Sequence, residues 1–379
     1  MKNILILGTG AVAQFILEDL KKDYSVVAVT GRMFETDYDD LLRSDWDLII
    51  STLPGKVGYV PFEKFIQAGK NIISTSYFLE YPDPIRLNDD AIAENVLAVY
   101  DMGLSPGLSN LISGYHKIGK KHDLYSIYIT MGTFLNNPLS PFLPKITTCI
   151  EDFINRYTTP AYCNYEGEAY RSNPFTLIGK SDLVSENSNS LWNYMTDIRS
   201  LRHTLPSVPN LYSRIITPAE FLSVVSHLYF SGMLDDTSSP KLSRLYSFDS
   251  FKNTRNLIED EAETVAFETT VSIDTGQHIC STIYTLEHKE IGKSALAFAA
   301  AKCCVSISRL FLNGYIQETG LIPPEQLFIN PKGSTVDDRF EYVLEYLKDS
   351  GLEVKQREVA IDKIEIDEDM SNFDNETLH

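Results

Sequence analysis

The feature that most constrains the fold lies within the first twenty residues. "NILILGTGAVAQFILEDL" runs an apolar strand, 3–7, into Gly8, Gly10 and Ala13 at G-x-G-x-x-A spacing, then into a helical pattern over 11–22. The first glycine permits a tight turn, the second lets a diphosphate approach the backbone, and the small third residue lets helix pack on strand. The helix N-terminus then presents unpaired N–H groups to the phosphates. Gly8, Thr9, Gly10, Ala11 and Val12 are therefore expected to bind a dinucleotide. The alternative is a glycine turn in a domain of the same topology that has lost its ligand.

The rest of the chain fits that opening. Apolar runs at 3–7, 25–30, 47–51, 71–74 and 96–100 alternate with helical patterns at 11–22, 60–68 and 85–94, as βαβ units of a parallel sheet require. From about residue 124 the pattern changes. "LYSIYITMG", "TVAFETTVSID" and "HICSTIYTLEH" alternate and are rich in β-branched and aromatic residues, so they read as antiparallel strands. Helices are expected near 147–158 and 218–231. A late helix, "SALAFAAAKCCVSISRLFLNG", is apolar nearly all round and hence buried, which suggests a return to the first domain. The expected fold is α/β: a Rossmann-type domain from 1–110 plus about 292–330, with an inserted α+β domain at 111–291 carrying a mixed or antiparallel sheet. Residues 331–379 read as a C-terminal segment with an acidic, mobile tail.

Composition narrows the function. A chain of 379 residues with 43% hydrophobic content fills two domains, and its net charge of -19 argues against nucleic acid and anionic membranes, which need a basic face. No apolar run approaches the ~20 residues of a membrane span. The chain enters a strand at once, without a signal-peptide pattern, so a cytoplasmic protein is expected. Five cysteines without a C-x-x-C pair read as reduced thiols, Cys303 and Cys304 being packing thiols on the buried helix; neither they nor the histidines have metal-ligand spacing. No metal is expected.

The strand ends place the site. After the second strand come Thr30, Gly31 and Arg32, where a carboxylate would mark NAD. An arginine without that acid favours a 2′-phosphate, and so NADP over NAD; the alternative is a solvated loop cation. Only fourteen residues separate Arg32 from the strand starting at Asp47. A helix, strand and second helix do not fit there, so the sheet is expected to lack its outer adenine-side strand. Thr52, Leu53 and Pro54 end the third strand at the switch-point crevice, on the nicotinamide side. Ser76 and Tyr77 follow the fourth, and Gly103, Leu104 and Ser105 open the corner "GLSPG" after the fifth.

Three of these segments, "STLPGKVGY", "STSYF" and "DMGLSPGLSNLISG", resemble in this order the saccharopine dehydrogenase-like superfamily. "CIEDFINRYTTPAYCNYEGE", "YMTDIRSL", "SGMLDD" and the returning helix through "GLIPPEQ" extend the resemblance over most of 1–330. Saccharopine reductase has Asp where this chain has Ser105, and a small residue before the proline is more similar to the lysine 6-dehydrogenase branch. The resemblance implies a nicotinamide-dependent oxidoreductase acting on the CH–NH group of a lysine-like amino acid, and a homodimer. It also leaves open reductive condensation of an amine with a carbonyl, of the carboxynorspermidine or opine type. The shortened stretch after Arg32 keeps a third reading open, a non-catalytic cofactor-binding protein. Thr30 in place of an acid, and "LYSRIITPAEF" without the arginine of the family's L-R-Y/W-P-G segment, depart from the pattern.

Imine chemistry requires positioning against the nicotinamide and a proton shuttle. Asp101 is expected to hold a substrate ammonium, or else to brace the turn. Arg199 is expected to pair with a substrate carboxylate, with Asp197 orienting it; a structural salt bridge is the alternative. Tyr77 is a candidate for a substrate hydrogen bond or for core packing, and Ser105 for substrate contact. His203 is a candidate shuttle, although a lone histidine is more often structural.

Overall fold

The computed structural model describes residues 1–30, 38–78, 84–135, 156–176, 178–180, 183, 191–232 and 260–362. The positions Gly31 and Arg32, most of the helix expected at 147–158, and the acidic end beyond 362 lie outside the described residues.

The fingerprint strand β1 (Asn3–Leu7) lies next to the edge strand of the six-stranded parallel sheet that the described residues form. Ile4, Leu5, Ile6 and Leu7 are all completely buried because layers cover both faces, as a parallel sheet requires. The strand order is β14-β5-β4-β3-β1-β2, where β2 is Ser25–Val29, β3 Leu48–Ser51, β4 Ile72–Ser74, β5 Leu97–Val99 and β14 Gly320–Leu321. Among the described residues β2 is the edge, and only the short helix α2 (Tyr38–Arg43) lies between it and β3. No strand lies outside β2 there, in keeping with the short spacing read from the sequence.

One face of this sheet carries α3 (Gly55–Gln67) and α4 (Pro84–Ala93), whose Phe62, Phe65, Ile66 and Leu87 pack with Leu5, Leu7 and Ile49. The other face carries α1 (Ala11–Leu20) and α8 (Ala295–Leu312). Each fully buried Ile, Leu or Phe contributes about 1.5–3 kcal/mol. The late apolar helix packs along α1. It also forms part of a single core that continues into the second sheet through Val265, Phe267 and Leu286. α8 is the one described helix long and apolar enough to cross a membrane, and most of its surface is packed inside the protein.

The second sheet runs β15-β13-β12-β6-β11-β10-β9, with the hairpin β7 (Ala161–Tyr165) and β8 (Glu168–Ser172) attached to β11. Its long members are β6 (Leu124–Leu135), β11 (Asn210–Pro218), β12 (Ala262–Asp274) and β13 (His278–Ile291). β10 is Leu191–Thr196 and β9 Gly179–Lys180. The sheet is mixed: β6 and β11 are parallel, while β12 pairs antiparallel with both β6 and β13. Glu263 of β12 accepts Ser294 Oγ at 2.8 Å and the Leu296 N–H at 3.3 Å, so the second sheet caps the helix of the first domain.

The segment after 330 holds two elements that the sequence reading did not assign. Thr335 and Asp338 form a reciprocal capping box, Asp338 N to Thr335 Oγ1 at 3.1 Å and Thr335 N to Asp338 Oδ2 at 2.9 Å. The box starts α9 (Val336–Asp349), which packs on α8. β15 (Lys355–Asp362) then pairs with β13 as an edge strand. Its charged, exposed side chains suit an edge but hide the strand from an apolar-alternation search.

Candidate active site

The crevice outside the carboxyl ends of β1, β3, β4 and β5 is a cleft with ≈ 1740 Å³ of empty volume, its open mouth included. Gly8 turns the chain there with φ +115°, and a Cβ on it would fall 2.4 Å from Thr52 Oγ1. That hydroxyl is held by donation to the Leu7 carbonyl at 3.0 Å, so the turn admits only glycine. Gly10 is the N-cap of α1 without a side-chain cap, and a Cβ on it would meet nothing within 4 Å. The first turn of α1 therefore offers unshared N–H groups and open space, which fits a dinucleotide diphosphate. Thr9, Ala11, Val12, Thr52, Leu53, Pro54, Gly103 and Leu104 line the same cleft.

Two cofactor expectations, Ser76 and Thr30, fall elsewhere. Ser76 is turned inward: it is 3% exposed, and a Cβ on Gly58 would lie 2.9 Å from its Oγ. Its neighbour Thr75 faces the cleft instead. Thr30 is exposed at the end of β2 and lies outside the cleft wall. Gly31 and Arg32 are outside the described residues. Leu296, Ala297 and Ala300 of α8 close the opposite wall with a stripe of mostly small residues that the sequence reading did not assign to the site.

A second, smaller cavity adjoins the first. The two share Tyr77, Ser105, Pro106, Met131 and Arg156, so they lie side by side. Its remaining wall includes Asn110, Asp197 and Arg199.

The expected roles of Asp101 and Arg199 change here. Arg199 Nε and Nη2 donate to Asp101 Oδ2 and Oδ1 at 2.9 and 2.8 Å, and Nη1 donates to the Phe78 carbonyl at 2.8 Å. The two residues are 4% and 1% exposed. The charges assigned separately to substrate carboxylate and ammonium thus neutralise one another in a bidentate pair. Asp101 and Arg199 both sit at positive φ, 56° and 57°, a conformation costing about 1–2 kcal/mol per non-glycine residue that the pair helps to hold. Asp197 orients this arginine through its backbone, accepting the Arg199 N–H at 3.1 Å. The Tyr77 ring lies under the guanidinium, 3.9 Å from its carbon.

Burial pushes the Tyr77 phenol above its ordinary value, so at neutral pH it remains a hydrogen-bond donor. Burial also raises the Asp197 carboxyl, against the Arg199 N–H and charge, which favour its ionised form. A carboxyl with raised pKa in a pocket wall is suited to general acid–base work. His203, the expected shuttle, lines neither cavity; it is exposed, with Nε2 3.1 Å from Arg202 Nη2, and partial loss of hydration together with that cation lowers its pKa. The sequence reading missed Arg156. It lines both cavities, and among the described residues no hydrogen bond or ion pair engages it. No spacing in "INRYTTP" distinguishes it from a surface arginine.

No protein-family model matches the sequence, and no curated protein matches it either. Solved structures match in fold. Apo saccharopine dehydrogenase (L-Glu forming) from Saccharomyces cerevisiae aligns over 95% of this chain and 100% of its own, with TM-score 0.73 and 15% identity. Homospermidine synthase from Legionella pneumophila, solved in complex with NAD, aligns over 95% of this chain and 92% of its own, with TM-score 0.62 and 11% identity. The class is thus a Rossmann-type parallel sheet joined to a mixed sheet. More particularly, the chain is similar in fold to that saccharopine dehydrogenase.

Proposed function

We propose that this protein is an NAD(P)-dependent oxidoreductase acting on the C–N bond of a lysine-like amino acid. The observation carrying this reading is the adjacency of the two cavities: a glycine-turn cleft suited to a dinucleotide shares Tyr77 and Ser105 with a pocket lined by Asn110, Asp197 and Arg199. A nicotinamide dinucleotide bound in the cleft supplies or accepts the hydride. The chain's own residues do the rest. Arg156 pairs with the substrate carboxylate, the part first given to Arg199. Tyr77 donates a hydrogen bond from its phenol, and Asp197 takes or returns the proton of the substrate nitrogen in place of His203. Asp101 and Arg199 brace the pocket floor. The fold shared with a saccharopine dehydrogenase, and with a synthase solved with NAD, supports the reading.

Cofactor addition tests it first. Stabilisation in a thermal-shift assay is expected with NADP more than with NAD, and Arg32→Ala is expected to erase the difference. Stabilisation by neither cofactor would leave a non-catalytic protein. With the cofactor settled, absorbance at the nicotinamide band on adding L-lysine, saccharopine or aldehyde–amine pairs separates dehydrogenation from reductive condensation.

A further inference from the structure

One wall of the second cavity is a face of the mixed sheet, and it carries a polar pair among apolar residues. Ser213 of β11 stands in register with Ile129 of β6 on one side and with Thr196 of β10 on the other. Residues in register share a face, as do positions two apart along a strand, so Leu211 and Ile215 flank Ser213 on that face. The face is turned toward the first domain, since Leu211 and Ile129 belong to the core shared with α8. Ile129, Thr196, Ser213 and Ile215 all line the cavity, and Ser213 is only 8% exposed.

A buried hydroxyl lowers stability unless its hydrogen-bonding capacity is used. Thr196 Oγ1 donates to Ser213 Oγ at 3.0 Å, which serves the serine oxygen and leaves its proton to be given. Among the described residues no acceptor takes that proton, and the neighbours of Ser213 along β11 and on β6 are hydrocarbon. The polar space left to it is the cavity. Arg156 lines the same cavity, and an anion drawn by its guanidinium meets the serine donor where water screens little. A carboxylate suits the two, because it has an oxygen for each. Asp197, also in that wall, repels a second carboxylate and is left to the amine end.

We propose that Ser213 is a specificity-determining residue whose hydroxyl, oriented by Thr196, donates to the substrate carboxylate that Arg156 attracts. This rests on the amino-acid reading above and adds what recognises the carboxylate from the sheet side.

The test compares two probes that differ by the carboxylate alone, L-lysine and 1,5-diaminopentane, binding to the full chain with NADP present. Wild-type protein is expected to favour L-lysine by at least about tenfold, because a site built to hydrogen-bond a group rejects the analogue lacking it. Ser213→Ala removes the donor and should lower that preference about tenfold, as loss of a hydrogen bond to a charged group does. A merely structural serine would weaken both probes alike and leave the preference unmoved. Thr196→Val keeps the donor but releases its orientation, so its effect should be smaller, about threefold. A preference that Ser213→Ala lowers by less than about threefold, or that Thr196→Val lowers more than Ser213→Ala, overturns the proposal. If Ser213→Ala does not fold, Ser213→Cys, whose S–H is a weak donor, takes its place with the same expectation. If wild-type protein does not distinguish the probes, the substrate reading has failed instead. Propionate and propionamide, which carry no amine, then decide on Ser213 by saturation-transfer NMR. A wild-type preference for propionate that Ser213→Ala abolishes supports the proposal; no preference, or one that the variant keeps, overturns it.

Discussion

The two walls of the cleft are built differently. The wall proposed for the cofactor is set by backbone: Gly8 at φ +115° and Gly10 at an uncapped helix start. The substrate wall is made of side chains that meet from distant parts of the chain. Asp101 meets Arg199 across 98 positions, and Asn110 meets Glu325 across 215. A backbone site depends on local conformation, so substitution there acts through shape and binding. A side-chain site depends on charge and hydrogen-bond satisfaction, so substitution there leaves a buried group without its partner.

The largest expected effect breaks the substrate wall at its ion pair. Arg199→Met leaves Asp101 charged at 1% exposure, and removing one partner of such a pair costs about 3–5 kcal/mol. Denaturant unfolding should show that loss. Adding Asp101→Asn should recover part of it, because the uncompensated charge is gone. A loss below about 1 kcal/mol would mean that water reaches the pair and that the two walls are less different than described.

The next effects sharpen the contrast within the cofactor wall. Gly8→Ala forces a side chain into a positive-φ turn and against Thr52, and should lower stability by about 2 kcal/mol. Gly10→Ala meets open space at a φ of -69°, so unfolding should change by less than about 0.5 kcal/mol. The added methyl instead occupies the space proposed for the diphosphate, so cofactor affinity should fall about tenfold or more. Equal stability losses in the two variants would show that Gly10 serves the fold rather than a ligand.

The same contrast explains what could be read in advance. The cofactor wall was legible because glycine spacing records backbone conformation within a few residues. The parallel sheet followed from its continuous apolar strands, and the lack of a strand outside β2 among the described residues from a count of residues. Ser76 was misplaced by one position because side chains at a strand end alternate, and Thr75 is the one that faces out. Asp101 and Arg199 were recognised as site residues but not as partners, since nothing local records a pairing across 98 positions. Arg156 and Glu325 carried no signal, because an arginine near the end of a helical pattern and a glutamate after two prolines fit a solvated surface equally well. β15 was missed because an edge strand bearing charges lacks the apolar alternation of a half-buried one.

The smallest effect tests whether the substrate wall gives up stability for chemistry, and Asp197 is the place to look. Burial raises its carboxyl pKa above the unfolded value of about 3.8. The folded protein therefore holds this proton more tightly than the unfolded chain does, and the ionised carboxylate is a liability in the native state. That penalty is absent below the unfolded value, grows as pH rises, and is complete above the folded value. Asp197→Asn removes it while keeping an oxygen for the Arg199 N–H. The variant should therefore gain stability relative to wild type as pH rises from below 4 to 7, while the two converge in acid. Its turnover should fall at all pH values if Asp197 moves the proton. A variant that is fully active, or whose stability difference does not change with pH, would remove Asp197 from the chemistry and leave it only as a brace for Arg199.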